Sequence, residues 1–336
     1  KKAQKRHECF YDYSLVEYKN CNTKIKITCP KHGEFEQRPD SHRNGNVGCS
    51  GCVNSGVSNE ESELSSFITS LGIDHVRNDR SFLPNKELDI YIPKQSVAIE
   101  YNGLYWHSES FVDKNHHLTK TEMCEEKGVQ LIHVFSDEWL SKPKIVKSRL
   151  MNILGLTDNK LYGRKCDIRT VPSKVKDTFL DDNHIQGKCR SSVNIGLYHD
   201  NMLVSIMTFG SRPLLNGHQY ELIRFCNSIN TTVVGGFSKL LKHFIKTTNP
   251  KEIVSYADRR WSVGDVYSKN GFDLVGVTDV NYWYLVGKVR VSRFKYQKHK
   301  LVSQGYDVNK SEREIMLDNG INRIYDSGNK KYLMSL

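Results

Sequence analysis

Asp89 and Glu100 each interrupt an otherwise apolar run, Glu87-Leu-Asp-Ile-Tyr-Ile-Pro93 and Ser96-Val-Ala-Ile-Glu-Tyr101. A carboxylate inside such a run faces desolvation unless a cation or a donor meets it. Two carboxylates from adjacent strands of a hairpin can converge on one divalent cation. Such an ion polarises a phosphodiester and lowers the pKa of an attacking water. A second constellation lies upstream. Cys29-Pro-Lys-His32-Gly and Gly-Cys49-Ser-Gly-Cys52 give C-x2-H and C-x2-C pairs with sixteen residues (33–48) between His32 and Cys49. A two-residue gap lets two ligands of one tight turn reach the same ion, and two such turns supply the four corners of a tetrahedral Zn2+ site. Four protein ligands leave no open position for water, so this site is expected to be structural. His42 is a less well placed stand-in ligand.

These residues need elements to position them. Thr23–Thr28 alternates polar and apolar as a half-exposed strand does, and Gly33, Gly48 and Gly51 suit the sharp backbone of the knuckles. A segment of about 50 residues has little core of its own, so a bound metal would contribute folding energy. Ser58 with Glu61 reads as a capping box opening a helix that carries Leu64, Phe67, Ile68 and Leu71 and stops at Gly72. The two carboxylate-bearing strands follow, then a helical stretch near 117–127 and a buried strand at Leu131–Phe135. That order predicts a mixed sheet with flanking helices. His117 and Lys120 would share one helix face. With Glu109 and His116 they read as a solvated surface, from which Lys120 could hold a phosphate. Trp106 is open between core residue and base-stacking wedge.

The chain has 336 residues, 26% charged and 38% hydrophobic, the composition of a soluble globular protein. No apolar run approaches the roughly 18–20 residues that span a bilayer. The Lys-rich start holds no apolar signal core, and nine cysteines without one do not read as a disulfide framework. The net charge of +11 is uneven: +4 over residues 1–56, −8 over 57–141 and +15 over 142–336. The basic flanks predict double-stranded DNA as partner. Lys142–Arg149 opens a basic helix before a Gly155–Asn159 break. Beyond it lie a β-hairpin at 194–209, a strand at 220–225, the Gly235-Gly236 turn into an amphipathic helix, and a strand at 253–257. Cations interleave with aromatics in Asp258-Arg259-Arg260-Trp261 and in Lys288-Val-Arg290-Val-Ser-Arg293-Phe-Lys295. Arg259, Arg260, Arg290, Arg293 and Lys295 are therefore expected to contact DNA.

Tyr11–Tyr18 followed by the Cys-Pro-x-His-Gly-x-Phe run resembles the zinc-ribbon repeat of phage homing endonucleases. Asp89-x10-Glu100-x-Asn102 matches the Asp…Glu-x-Lys frame of the PD-(D/E)XK nuclease fold, with Asn102 replacing Lys. Over residues 58–140, Ser58-x-x-Glu61-x-x-Leu64, Leu88-Asp89-Ile90, Ala98-Ile-x-x-x-Gly103-x-Tyr105-Trp106-His107 and Leu131–Trp139 resemble the very-short-patch-repair endonuclease family. The resemblance implies Asp89 as the main Mg2+ ligand, helped by the Tyr101 backbone carbonyl. It implies Glu61 approaching from its helix and His107 as the acid/base or phosphate-stabilising group. Asn102 occupies a position where that family has histidine. Glu100 stands where it has an apolar residue, and fits the general PD-(D/E)XK ligand position instead. With a zinc ribbon in front, the likeness is to phage homing endonucleases of the Hef-like, EDxHD group, cytoplasmic in the host cell.

From about residue 161 the succession resembles the GNAT acyltransferase fold of phage proteins related to the Mom DNA-modification enzyme. In acyltransferases the glycine loop wraps the coenzyme A pyrophosphate. Here Gly235-Gly236-x-Ser238 fits in part, and Val233 replaces the usual Arg or Gln. The expectation is thus an α/β multidomain chain. It comprises a zinc ribbon (1–56), a PD-(D/E)XK, restriction-endonuclease-like mixed sheet with flanking helices (57–141), a basic helix and linker (142–160), and a GNAT-like DNA-binding domain (161–336). It would act as a Mg2+-dependent DNA endonuclease. A DNA-base acyltransferase and a catalytically inert DNA-binding protein are the alternatives.

Overall fold

The computed structural model describes residues 3–4, 7, 10–30, 32–44, 48–50, 59–211 and 220–336. The chain divides into two compact units, residues 1–67 and 68–336. In the first, β1 (Ile25–Cys29) and β2 (Gly33–Gln37) form an antiparallel hairpin that sets Ile27 opposite Phe35 and Cys29 opposite Gly33. Alternation buries Ile25, Ile27 and Cys29 with Tyr11 and Cys49, and leaves Lys26 in solvent. Gly48 has no room for a side chain, since a Cβ there would lie 2.1 Å from the Tyr11 hydroxyl. Next come α1 (Pro39–Asn44) and α2 (Asn59–Ser70), with Leu64 and Ile68 of α2 fully buried. Ser58, its expected cap, lies outside the described residues.

In the second unit, β3 (Val76–Leu83), β4 (Lys86–Ile92) and β5 (Val97–Asn102) run antiparallel. The chain then crosses through α3 (His116–Glu126) to β6 (Gln130–Phe135), which pairs parallel with β5. A parallel pair needs such a crossover. This is the mixed sheet that the helix–strand order predicts, and every residue of β5 is buried in it. After α4 (Ser136–Ser141), α5 (Pro143–Ile153) is the predicted basic helix. Pro143 sits in its first turn, where a missing N–H costs no helical bond.

The chain continues through β7 (Asn159–Tyr162), β8 (Asp167–Thr170), α6 (Ser173–Asn183), β9 (Val193–His199), β10 (Met202–Ser211), β11 (Tyr220–Asn227) and β12 (Thr231–Val234). Then follow α7 (Gly236–Thr248), β13 (Glu252–Asp258), α8 (Asp265–Ser268) and β14 (Asp273–Val277). Last come β15 (Tyr282–Val286), β16 (Val289–Ser292), α9 (Lys298–Ser303), α10 (Glu312–Asp318), β17 (Arg323–Tyr325) and β18 (Asn329–Ser335).

Among the described residues, a seven-stranded sheet runs in the order β14-β18-β13-β11-β10-β9-β8, and β16-β15-β17 form a smaller one. The predicted hairpin is β9–β10. Asp200 and Asn201 turn it with positive φ of 48° and 61°, which these two residue types tolerate. The apolar face of α7 packs on the large sheet through Phe237, Leu240, Leu241 and Phe244, with Phe244 stacked on Phe209. Gly235, with φ of 72°, makes the turn into this helix. No helix of the described residues is long and apolar enough to cross a membrane.

Candidate active site

The β4–β5 register pairs Ile90 with Ile99, so its next step sets Asp89 opposite Glu100. The pair is knitted to the backbone. The Tyr101 N–H donates to Asp89 Oδ2 (2.7 Å), and the Asp89 N–H donates to Glu100 Oε1 (3.2 Å). Burial lifts the Asp89 carboxyl above the ordinary carboxylate range. Burial and the neighbouring Asp89 charge do the same to Glu100. Lys120 of α3 brings the countercharge, donating from Nζ to Glu100 Oε2.

Lys120 therefore corrects two sequence-based expectations. It is 8% exposed, so it does not stand on a solvated face. It also places an ammonium on Glu100, while Asn102 holds the position two residues after that carboxylate. Asn102, at that position, is fully buried and committed to His133, with its Nδ2 3.1 Å from His133 Nδ1. A lysine on a crossover helix has no fixed spacing from the strand it serves. Its only sequence signal is the neighbourhood of Thr121 and Cys124, which mark that face of α3 as buried.

His107 heads a histidine relay. Its Nδ1 lies 3.0 Å from His117 Nε2, and His117 Nδ1 lies 2.8 Å from the Tyr325 carbonyl oxygen. A carbonyl only accepts, so His117 carries its proton on Nδ1 and accepts on Nε2. His107 must then donate from Nδ1, which leaves its Nε2 as the unprotonated nitrogen. Burial pulls His107 down to about 4 and His117 well below its ordinary value, so both rings are neutral at pH 7. Thr121 Oγ1 binds His133 Nε2 (2.9 Å) and Ser327 Oγ (2.9 Å), tying the same face of α3 to the loop after β17. Beside His107, Tyr105, Trp106 and Phe111 cluster with ring centroids 4.8–5.0 Å apart. Trp106 is 56% exposed and is not a core residue.

Glu61 is buried on α2 in the N-terminal unit. In the same unit, the ligand atoms of Cys29, His32 and Cys49 lie within 4.8 Å of one another. His32 Nδ1 is 3.6 Å from Cys29 Sγ and 3.7 Å from Cys49 Sγ. Thiolate and imidazole at this spacing fit Zn2+. Cys52, the expected fourth ligand, lies outside the described residues. His42 is no stand-in: its Nδ1 meets Gln37 Oε1 (2.8 Å) and its Nε2 meets the Tyr13 hydroxyl (2.9 Å).

The expected DNA contacts of Arg259, Arg260 and Arg290 are corrected by their burial. Arg259 pairs with Glu125 (2.6 Å), Arg260 with Glu138 (3.2 Å) and Asp258 (3.1 Å), and Arg290 with Glu138 (2.6 Å) and Asp137 (3.0 Å). Burial pushes the Glu138 carboxyl up, but the two guanidinium charges outweigh it and hold it below its ordinary value. Arg290 also lies 4.0 Å from the Phe135 ring centre. Arg293 is half-buried over Tyr282, and Lys295 is exposed.

The glycine loop before α7 is engaged by the chain itself. A Cβ on Gly163 would come within 3.2 Å of the Gly235 and Gly236 backbone, and Lys239 Nζ donates to the Gly163 (3.0 Å) and Cys166 (2.6 Å) carbonyls.

Residues 1–53 match a family described as "Protein of unknown function (DUF723)". Uncharacterized protein R892 of Acanthamoeba polyphaga mimivirus is 45% identical over 51 residues, which is 15% of this chain and 19% of that protein. The chain thus spans about a fifth of the curated relative it matches. Solved structures of two classes are similar. The catalytic domain of homing endonuclease I-Bth0305I is 21% identical, with 29% of this chain and 93% of that one covered and a TM-score of 0.25. IAA acetyltransferase from Bacillus cereus is 14% identical, with 51% and 99% covered and a TM-score of 0.31. A GNAT family acetyltransferase from Elizabethkingia anophelis is 12% identical, with 51% and 99% covered and a TM-score of 0.28. Which reaction the chain performs is a question for its side chains.

Proposed function

We propose that the chain is a divalent-metal-dependent endonuclease acting on double-stranded DNA. The observation that carries this reading is the meeting of Asp89, Glu100 and Lys120 inside the β4–β5–α3 layer. Glu100, buried, and Asp89, half-buried, are both lifted above the ordinary carboxylate range beside a single ammonium, the mark of a site short of positive charge, and a hard divalent cation suits its oxygen donors. Asp89 and Glu100, with the Tyr101 carbonyl, would hold Mg2+, which supplies Lewis-acid polarisation of the phosphodiester when bound.

The other roles belong to the chain's own groups. The free Nε2 of His107 takes a proton from the attacking water, and His117 with the Tyr325 carbonyl positions it. Lys120 opposes the charge that grows on the phosphate. Trp106 acts as a wedge between base steps. Arg293 and Lys295 contact the phosphate backbone, and Cys29, His32, Cys49 and Cys52 hold a structural Zn2+. The motif resemblances support a homing-type enzyme of phage origin, working in the host cytoplasm.

The test is cleavage of phage genomic DNA with Mg2+. We expect cutting by the parent and none by Asp89→Ala; equal cutting by both would overturn the assignment.

A further inference from the structure

The seven-stranded sheet opens between β11 and β13. Among the described residues, these strands pair where Tyr220–Leu222 meet Ile253–Ser255. Beyond that point Ile223–Asn227 and Tyr256–Asp258 flank a cleft of about 1120 Å3, walled also by α5 and the segment after α6. Small-molecule sites typically measure roughly 300–1,000 Å3, so a nucleotide-sized ligand fits.

The wall is unusual in how many strong polar groups it leaves unmatched. Arg149 of α5 makes no hydrogen bond or ion pair with the described residues, and its guanidinium rests 4.9 Å from the Trp261 ring centre. Trp261 is 3% exposed, yet its indole N–H has no acceptor among the described residues. Arg224 spends one N–H on the neighbouring Ile223 carbonyl (2.9 Å), and its buried Nε has no partner among them. The Asn227 and Asn281 side chains each hold a buried oxygen that meets no donor of the described residues.

All five residues line the one cleft. Arg149 and Arg224 share this wall with His184 and Cys226. Burial draws both guanidinium groups below their ordinary pKa, and the nearby carboxylates of Asp258, Glu138 and Glu221 offset only part of that pull.

Buried polar groups are nearly always paired, and a cluster of exceptions around a cavity marks where a ligand's groups would go. The wall also contains carboxylates. Asp258 is matched by Arg260, and Glu221 and Asp279 also line the wall. A bare anion would meet those charges, whereas a ligand with an anionic end and a hydrogen-bonding end would use both kinds of group.

We propose that this cleft binds a nucleoside monophosphate unit. Its phosphate meets the Arg149 and Arg224 guanidinium groups, which match phosphate geometry. The exocyclic amine of its base meets the Asn227 and Asn281 amide oxygens. The unit is either a free nucleotide or one residue of a DNA strand drawn into the cleft, since both offer the same chemistry.

The experiment is calorimetric titration of the full chain with dAMP in the absence of divalent metal. Saturable binding is expected, at least tenfold weaker in Arg149→Met and partly restored in Arg149→Lys. Asp89→Ala should bind like the parent, which separates this site from the nuclease centre. Competition by a short single-stranded oligonucleotide assigns the unit to a strand; continued dAMP binding in its presence assigns it to a free nucleotide. Arg224→Gln, with the same expected loss, stands in if circular dichroism shows Arg149→Met unfolded. Absence of dAMP binding at millimolar concentration, unchanged binding in the folded variants, or tighter binding of coenzyme A than of dAMP would each overturn the proposal.

Discussion

His117 Nδ1 lies 2.8 Å from the carbonyl oxygen of Tyr325, 208 positions further along the chain. That contact decides which nitrogen of His117 carries the proton, and through it which nitrogen of His107 is free. His117→Ala should therefore slow DNA cleavage by about 10- to 100-fold without abolishing it, because general base catalysis contributes roughly 10²–10⁴-fold and only its positioning is lost. Single-turnover rates across pH check this, and the variant's profile should be displaced from the parent's. An unchanged rate and profile would remove the relay from the mechanism.

Lys120 and a divalent cation would compete for the charge on Glu100. Lys120→Ala should bind Mg2+ more tightly than the parent, because a repelling charge is gone. Its cleavage rate should nevertheless fall by 100-fold or more, in line with the roughly 10²–10³-fold cost of losing one charge-stabilising donor. Calorimetry and single-turnover kinetics on the same preparation test both halves. A variant that cuts like the parent would make Lys120 merely structural.

Glu138 is 8% exposed and accepts from Arg260 and Arg290 at once. Breaking a buried ion pair from one side strands the remaining charges and costs about 3–5 kcal/mol. Glu138→Ala should lower unfolding stability in urea by about that amount, and Glu138→Gln by less. Loss under about 1 kcal/mol would mean that the two arginines find water or other partners.

Neutral buried histidines make the fold acid-labile. His117 and His133 are held well below 6.5, first by burial and then by neighbouring charges. Groups with depressed folded pKa values that are neutral when unprotonated contribute fully above the unfolded value of about 6.5. That stability is lost as pH falls below it, with a slope approaching about 1.4 kcal/mol per pH unit for each ring. Denaturation midpoints measured from pH 7.5 to 5 should drop, and His133→Gln should flatten the drop. A level profile over that window contradicts the assignment of neutral rings.

Much of the candidate site is legible in the sequence because its chemistry is local. Asp89 and Glu100 announce themselves as carboxylates in apolar strands, and their hairpin spacing brings them face to face. Cys29 and His32 do so through their two-residue gap, and Cys49 through the same gap to Cys52. Lys120 does not, since the turns between a strand and its crossover helix set no fixed count. The arginines mislead for a related reason. A cation flanked by aromatics reads alike whether it faces a phosphate or a carboxylate. Asp258 is a local partner of Arg260, but Glu125 and Glu138, which claim Arg259 and Arg260, lie 134 and 122 positions away. The partner of His117 is a main-chain carbonyl, which every residue owns and no sequence pattern marks.

The same carbonyl has a consequence in time. Chains are synthesised at roughly 5–20 residues per second, so Tyr325 follows His117 by about 10–40 s. Through that interval the β4–β5 carboxylates can already face each other while the tautomer of His107 is unset. In the proposed nuclease, the proton acceptor would wait for a strand made two hundred residues later, and the centre would stay sheathed while it is being made.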